Sequence, residues 1–404
     1  MASSPRAAHP APAAAKPREL VTLSRLLLEV ASGPAVTRAD LARATGLARS
    51  TVSLHVDNLR RRGILKEERD GHSTGGRHPS RLGLNPQAGV ILAADLGVTQ
   101  ARLAAADLDG QPLAARSKDI RIGDGPQSVL AWVDAGFQQM LAEAGRKPAD
   151  VLAVACGVPG PVAHATGTVV KPPVMPGWDD YRIPSYFQPR YEAPVLVDND
   201  VNLMAVGEHR ARTGVEHMLF VKVGTGIGCG IISGGRIHRG ADGAAGDIGH
   251  IRIPGNDATC TCGYVGCLEA AAGGGALATE LQRNGTRVSD VGDVARLAAD
   301  GDPSARRAIQ VASEQIGGVL AALVNFHNPS LVVVGGSLAA SDNLVAGIRS
   351  GIYGRALALG TRSLTVEASR LGNTAGTAGA IHLAQRHILS PDGLAGLRKK
   401  PKTA

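Results

Sequence analysis

Val90-Ile91-Leu92-Ala93-Ala94-Asp95-Leu96-Gly97-Val98-Thr99 is a run of apolar residues closed by an acid and a glycine turn. Ala101 to Asp107 follow, and then the turn pair Asp109-Gly110. Apolar runs of this length bounded by turn residues predict buried strands, and two of them across a short turn predict a β-hairpin. The same grammar returns downstream. Met218 to Val223, the turn Gly224-Thr225-Gly226-Ile227-Gly228, Cys229 to Ile232 and Ser233-Gly234-Gly235 predict strand, turn, strand, turn. Leu331-Val332-Val333-Val334 predicts a further buried strand that ends in Gly335-Gly336-Ser337. Glycine turns at strand ends can offer backbone N–H groups to phosphate oxygens. One such turn alone is more often only a turn. The chain has no Gly-Lys-Ser/Thr loop and no Gly-x-Gly-x-x-Gly fingerprint, so the common nucleotide motifs are absent.

Outward from these strands, composition sets the frame. The 404 residues are 44% hydrophobic but only 3% aromatic, with 52 glycines. The core must therefore rest on Val, Ile, Leu and Ala between glycine-punctuated turns, which suits an α/β fold of a small domain plus a larger, bilobed one. Met1 to Pro17 is rich in Ala, Pro and Ser and lacks a signal-peptide core, and no later segment approaches the roughly 20 apolar residues of a membrane span. A cytoplasmic chain with a disordered tail and no membrane partner is expected.

Charge is concentrated at the start. Residues 1–86 hold 14 Lys/Arg against 7 Asp/Glu, so seven of the eight net positive charges lie there. Leu20, Leu23, Leu27 and Val30 recur at helical spacing until Gly33-Pro34. Thr37-Arg38-Ala39-Asp40 reads as a capping box for a short second helix that ends near Gly46. After a brief turn, a third helix opens at Arg49 with Val52, Val56 and Leu59 inward. Arg49, Ser50, Thr51, Ser53 and His55 are left for the outside. This is helix-turn-helix spacing, in which those polar residues meet base edges in the major groove. Ile64-Leu65, the turn residues Arg69-Asp70-Gly71 and Gly75-Gly76, and Arg81 to Leu84 then predict a wing. Arg77 beside the glycine pair would reach phosphate or a minor groove. Localised charge and the wing favour double-stranded DNA over a three-helix interaction module, and nucleoid association follows.

Cys260, Cys262 and Cys267 fall within eight residues, and His250 would complete a tetrahedral Cys₃His set. The spacing is not that of a zinc finger, but the clustering favours a structural zinc, with reduced buried thiols as the alternative. Cys156 and Cys229 sit in apolar strands and read as small hydrophobes.

Taken in order, the hairpin at Asp95 to Thr99, Gly157-Val158-Pro159-Gly160, Asp198-Asn199-Asp200, the turn at Gly224 to Gly228, Gly246-Asp247-Ile248-Gly249-His250 and the cysteine cluster resemble the ROK family of repressors and sugar kinases. The resemblance runs from about residue 19 to about residue 385. It implies an actin/hexokinase-like, ribonuclease-H-like two-lobed fold. The resulting division is a tail at 1–18, a winged helix-turn-helix at 19–86, a small lobe at 87–198 joined by part of 372–390, a large lobe with the zinc loop at 199–371, and a basic tail at 391–404.

The resemblance also implies zinc at His250, Cys260, Cys262 and Cys267. It puts Gly157, Asn199, Asp200, Asp247, His250 and Glu269 at sugar-contacting positions, with His250 shared between metal and sugar. Asp247 departs from the family, which usually has Glu there, and this leaves the sugar's identity open. Asp95, Gly97, Thr99, Gly224, Thr225, Gly226, Gly335 and Gly336 match nucleotide-binding positions. Val98 replaces the second glycine of the kinases' first phosphate hairpin, so those positions read as vestigial. A sugar-responsive transcriptional regulator of carbohydrate-utilisation genes is implied, most simply a repressor, acting as a homodimer or homotetramer on an inverted-repeat operator. The alternative is a sugar kinase using Mg-ATP with Asp200 as general base.

Overall fold

A computed structural model describes residues 17–33, 36–68 and 80–397. The chain divides into two compact units, one of Met1–Gly89, Asp107–Asp109 and Gln385–Ala404, the other of Val90–Ala106 and Gly110–Ala384.

The first unit contains helices α1 (Pro17–Ser32), α2 (Arg38–Thr45) and α3 (Arg49–Arg61) and strands β1 (Leu65–Glu68) and β2 (Arg81–Leu84). The strands pair antiparallel with Leu65 opposite Leu84. Leu23, Leu26 and Leu27 of α1, Leu41 of α2, Val52, Val56 and Leu59 of α3, and Leu82 and Leu84 are all buried. The expected core stripe therefore exists, except that Leu26 takes the inward place expected of Leu20, which stays half-exposed. The capping box is present: Thr37 Oγ1 accepts from the Asp40 N–H at 3.2 Å, and Asp40 Oδ2 accepts from the Thr37 N–H at 2.9 Å. Gly46 ends α2 in the left-handed region at φ 69°, where a side chain would be strained. The expected basic tail starts later than residue 391. Pro391–Gly396 forms helix α14, Leu394 is buried, and its carbonyl accepts from the Arg62 guanidinium at 2.9 Å.

The second unit holds two five-stranded sheets of matching strand order. One runs β5 (Pro112–Asp119), β4 (Gln100–Asp107), β3 (Val90–Leu96), β6 (Val151–Val158), β9 (Val195–Asn199). The other runs β12 (Arg236–His238), β11 (Ile227–Ser233), β10 (Met218–Val223), β13 (Leu331–Gly335), β14 (Thr365–Ala368). In each, the first strand of a meander pairs in parallel with a later strand, β3 with β6 and β10 with β13. Strands buried on both faces read as continuous apolar runs, which is why the three glycine-ended runs were legible as strands. A small antiparallel pair, β7 (Val162–Ala163) and β8 (Thr168–Val169), lies beyond β6.

Helices α4 (Pro126–Glu143) and α5 (Pro184–Tyr191) cover the first sheet, whose core includes Phe137, Trp178 and Phe187. Around the second sheet lie α7 (Leu268–Ala272), α8 (Gly274–Arg283), α9 (Val291–Ala299), α10 (Pro303–His327), α11 (Asp342–Tyr353) and α12 (Ala358–Thr361). Among the described residues α10 alone is long and apolar enough to cross a membrane, contrary to the expectation that no segment comes near that length. Ile309, Ala312, Ile316, Leu320 and Val324 commit its inner face to the core instead. Helices α6 (Asp200–Arg210) and α13 (Ala375–Ile388) approach closely through Gly207 and Gly379, where any Cβ would strike the opposing backbone.

Loss of the α2 cap should be local and measurable. Thr37→Ala is expected to weaken α2 by about 1 kcal/mol, seen as a roughly fivefold rise in hydrogen-exchange rate at its amides. Unchanged exchange would show that the box contributes nothing.

Candidate functional site

A cleft of about 2060 Å³ opens between the two sheets of the second unit. Its walls are the carboxyl ends of strands and the turns that follow them, the usual location for ligands in open α/β sheets.

Asp95 arrives at the end of β3, followed by a tight turn in which the Gly97 N–H donates to the Gln100 carbonyl at 2.7 Å. The Asp95 carboxyl is 3% exposed and its Oδ1 has no hydrogen-bond partner. Gly376 lies so close that any Cβ there would collide with this carboxyl. Burial, reinforced by the neighbouring Asp200 charge, pushes the carboxyl up to about 7.

Asn199 caps α6. Its Oδ1 accepts from the N–H groups of Val201 at 2.9 Å and Asn202 at 3.3 Å, and its Nδ2 donates to the Gly160 carbonyl at 3.2 Å. One amide hydrogen remains for a ligand. Asp200 opens α6 and is 2% exposed. Its Oδ1 accepts from the Val201 N–H at 2.8 Å, and its Oδ2 forms an ion pair with the Lys222 ammonium. Gly157 at the end of β6 lets this corner close up, since a Cβ there would meet Leu203 at 2.9 Å and the Asp200 backbone at 3.4 Å.

Lys222 was not anticipated. It is the one charged residue in the strand Met-Leu-Phe-Val-Lys-Val, and a charge interrupting an apolar strand was the available signal. Burial alone would depress its ammonium, but Asp200 holds it above its ordinary value.

On the opposite wall, Glu269 on α7 accepts from the Ile227 N–H at 2.9 Å through Oε2. Gly226 passes directly over that carboxylate, leaving no room for a Cβ. Asp247 caps a short 3-10 turn, Ile248–His250, that ends on His250. The His250 Nε2 faces Asp247 Oδ1 at 4.0 Å, and its Nδ1 lies 3.6 Å from Cys260 Sγ. Cys262 Sγ and Cys267 Sγ are 3.7 Å apart, and all four side-chain donor atoms lie within 4.8 Å of one another. A tetrahedron of thiolates around zinc has edges of about 3.8 Å. The donor set and its spacing therefore fit a closed metal site.

The nucleotide-like turns converge. The Gly224 N–H donates to the Gly226 carbonyl at 3.0 Å, and Gly336, at φ 90°, lies against the Val223 backbone. Thr225, Gly335, Gly97 and Thr99 line the same cleft. Val98 lines it too and packs partly on the small-lobe core.

In the first unit, Arg49 and Ser50 at the start of α3 are exposed and Thr51 and Ser53 half-exposed. His55 differs from expectation: it is half-buried, with Nδ1 enclosed and unpartnered. Its position three residues after Val52 and four before Leu59 sets it on the flank of the buried stripe. Arg77 lies outside the described residues.

Residues 91–387 match the profile of the ROK family, and residues 24–73 match that of the MarR family. The chain belongs to the ROK family. A xylose repressor of Bacillus subtilis (strain 168) is 29% identical over 367 residues, covering 90% of this chain and 94% of that one. A solved ROK family transcriptional regulator, a homologue of the E. coli MLC protein, superposes with a TM-score of 0.80 at 24% identity over 94% of this chain and 99% of its own, a likeness of fold. A ROK family glucokinase from Streptomyces griseus, solved with glucose and AMPPNP, has a TM-score of 0.62 and 27% identity, and spans 74% of this chain and all of its own. This ROK member, with its winged helix ahead of the kinase fold, is a sugar-responsive DNA-binding transcriptional regulator.

Asp95 makes stability depend on pH. Between its ordinary value of 3.8 and about 7, the folded chain holds a proton that the unfolded chain has released. The associated stability is full below about pH 4 and lost as pH rises toward 7. Asp95→Asn is therefore expected to raise the melting temperature more at pH 8 than at pH 5. Equal shifts at both would overturn the assignment.

Proposed function

We propose that the second unit is a sugar receptor without phosphoryl-transfer activity. The observation that carries this reading is the ion pair between Asp200 and Lys222. A general base must present its carboxylate to a hydroxyl proton, and here a sugar hydroxyl would have to compete at Asp200 with a fixed ammonium on one oxygen and a backbone N–H on the other. The remaining polar groups, one Asn199 amide hydrogen, Asp247, the His250 Nε2 and Glu269, with backbone support at Gly157, suit the hydroxyls of a carbohydrate. The wrong epimer would leave such groups unpaired.

Xylose is the first ligand to test, because the Bacillus subtilis relative is a xylose repressor. Asp247, one methylene shorter than glutamate, leaves space at its ring position for another substituent or a larger oligosaccharide. His250, Cys260, Cys262 and Cys267 would hold a structural zinc. With Nδ1 toward the thiolates, that metal would fix the His250 ring whose Nε2 faces Asp247 and the cleft.

Sugar closing the cleft of a homodimer or homotetramer would shift its paired α3 helices relative to inverted-repeat half-sites. Arg49, Ser50, Thr51 and Ser53 would meet the operator DNA, with His55 at the edge of that surface and Arg77 contributing from the wing. Action in the cytoplasm, at the nucleoid, follows from that role.

The second reading is a sugar kinase. It rests on the undistorted turns at Gly224-Thr225-Gly226 and Gly335-Gly336, and needs Lys222 to leave Asp200.

Mobility-shift titration with D-xylose, hexoses and oligosaccharides should find one sugar that changes operator affinity fivefold or more, within the usual range of allosteric coupling, ~5–150-fold. Indifference to every sugar would sink the receptor reading. No sugar-dependent ADP release from Mg-ATP is expected across the same panel. Metal analysis should give about one zinc per chain, lost in Cys262→Ser. Less than about half an equivalent in unchelated protein would overturn the metal assignment.

A further inference from the structure

Phosphoryl transfer from ATP uses divalent cations that acidic side chains hold against the phosphates. The floor of this cleft supplies buried acids of that kind. Asp95 and Asp200 are 3% and 2% exposed; beside Gly157 the Asp95 Oδ1 stands 3.6 Å and the Asp200 Cα 3.4 Å from where a Cβ would sit, and the Asp200 charge acts on the Asp95 carboxyl. Two carboxylates out of water and side by side need a counter-charge. In this chain that charge is covalently attached. Lys222 runs from β10 past Gly224, with its Cε 3.5 Å from the point where a Gly224 Cβ would sit and Ser337 Oγ equally near that point. Its ammonium pairs with Asp200 and its charge also faces Asp95. The ion is therefore lodged between the carboxylates and the converging glycine turns.

We propose that Lys222 is a tethered substitute for the divalent cation, so that the cleft is neutralised and shaped for its ligand without metal or nucleotide. This rests on the receptor reading and extends it. The residues present do not fit Mg-ATP: the carboxylate that would help to hold the metal is already paired, and a second cation at Asp200 would meet the ammonium at close range. A fixed ammonium has two consequences that the loss of a general base alone would not have. Ligand binding becomes independent of Mg²⁺, and removal of the ammonium exposes a vacant acidic site that a divalent ion can enter.

Mn²⁺, a paramagnetic stand-in for Mg²⁺, tests this directly on the zinc-loaded full chain by electron paramagnetic resonance titration. Wild type should take up none at Asp200. Lys222→Met, which keeps length and removes charge, should take up about one equivalent that wild type lacks. Lys222→Arg, which keeps charge, should behave as wild type. The proposal is overturned if a folded Lys222→Met binds no Mn²⁺. It is also overturned if wild type binds about one equivalent that Asp200→Asn abolishes, a result that does not depend on Lys222→Met folding. Such uptake without sugar-dependent ADP release would remove this proposal and leave the receptor reading standing. ADP release would remove both.

Discussion

Everything in the cleft is arranged around one electrostatic constraint: two carboxylates, Asp95 and Asp200, are taken out of water at adjacent positions. The first comes from β3 of one sheet, the second from the start of α6, and the cation that faces them from β10 of the other sheet. Charges so buried are tolerated only when paired, so the pair links both halves of the cleft. Asp95, with one oxygen unpartnered and Gly376 pressed against it, bears the residual cost, and its carboxyl is raised accordingly.

Glycine is the material that lets these groups meet. Gly226 and Gly376 each stand where a Cβ would intrude on a carboxylate, and Gly157 where one would crowd Leu203 beside Asp200. The abundance of glycine in the sequence is thus partly a steric requirement of a crowded polar site, beyond its role in turns.

The cysteine loop is joined to the same site through one ring. His250 turns Nδ1 toward the cysteines and Nε2 toward Asp247. The short turn that carries Asp247 is anchored where Gly246, at φ 99°, lies against the Cys229 backbone. A ligand that moved Asp247 would act on the ring and, through it, on the loop. This gives the proposed sugar response a mechanical route inside one lobe.

Local signals were sufficient for much of the chain. The strands at Val90, Met218 and Leu331 announced themselves because continuous apolar runs closed by glycine have few other solutions. The second helix of the winged unit declared itself through a capping box spanning four residues, and the cysteine-histidine cluster through three cysteines within eight. What the sequence could not reveal depends on contacts between distant residues. Lys222 meets Asp200 across 22 positions and Gly376 meets Asp95 across 281. His55 sits at the edge of the recognition face because it lies between Val52 and Leu59 on the flank of the buried stripe, with its Nδ1 enclosed. α14 became part of the first unit because Leu394 finds a buried place there and its carbonyl meets Arg62. The sequence by itself determined the elements and the cysteine-histidine cluster, whose causes are periodicity and spacing along the chain. Only tertiary structure decided that an ammonium would sit on Asp200, since burial and charge pairing are properties of neighbours in space.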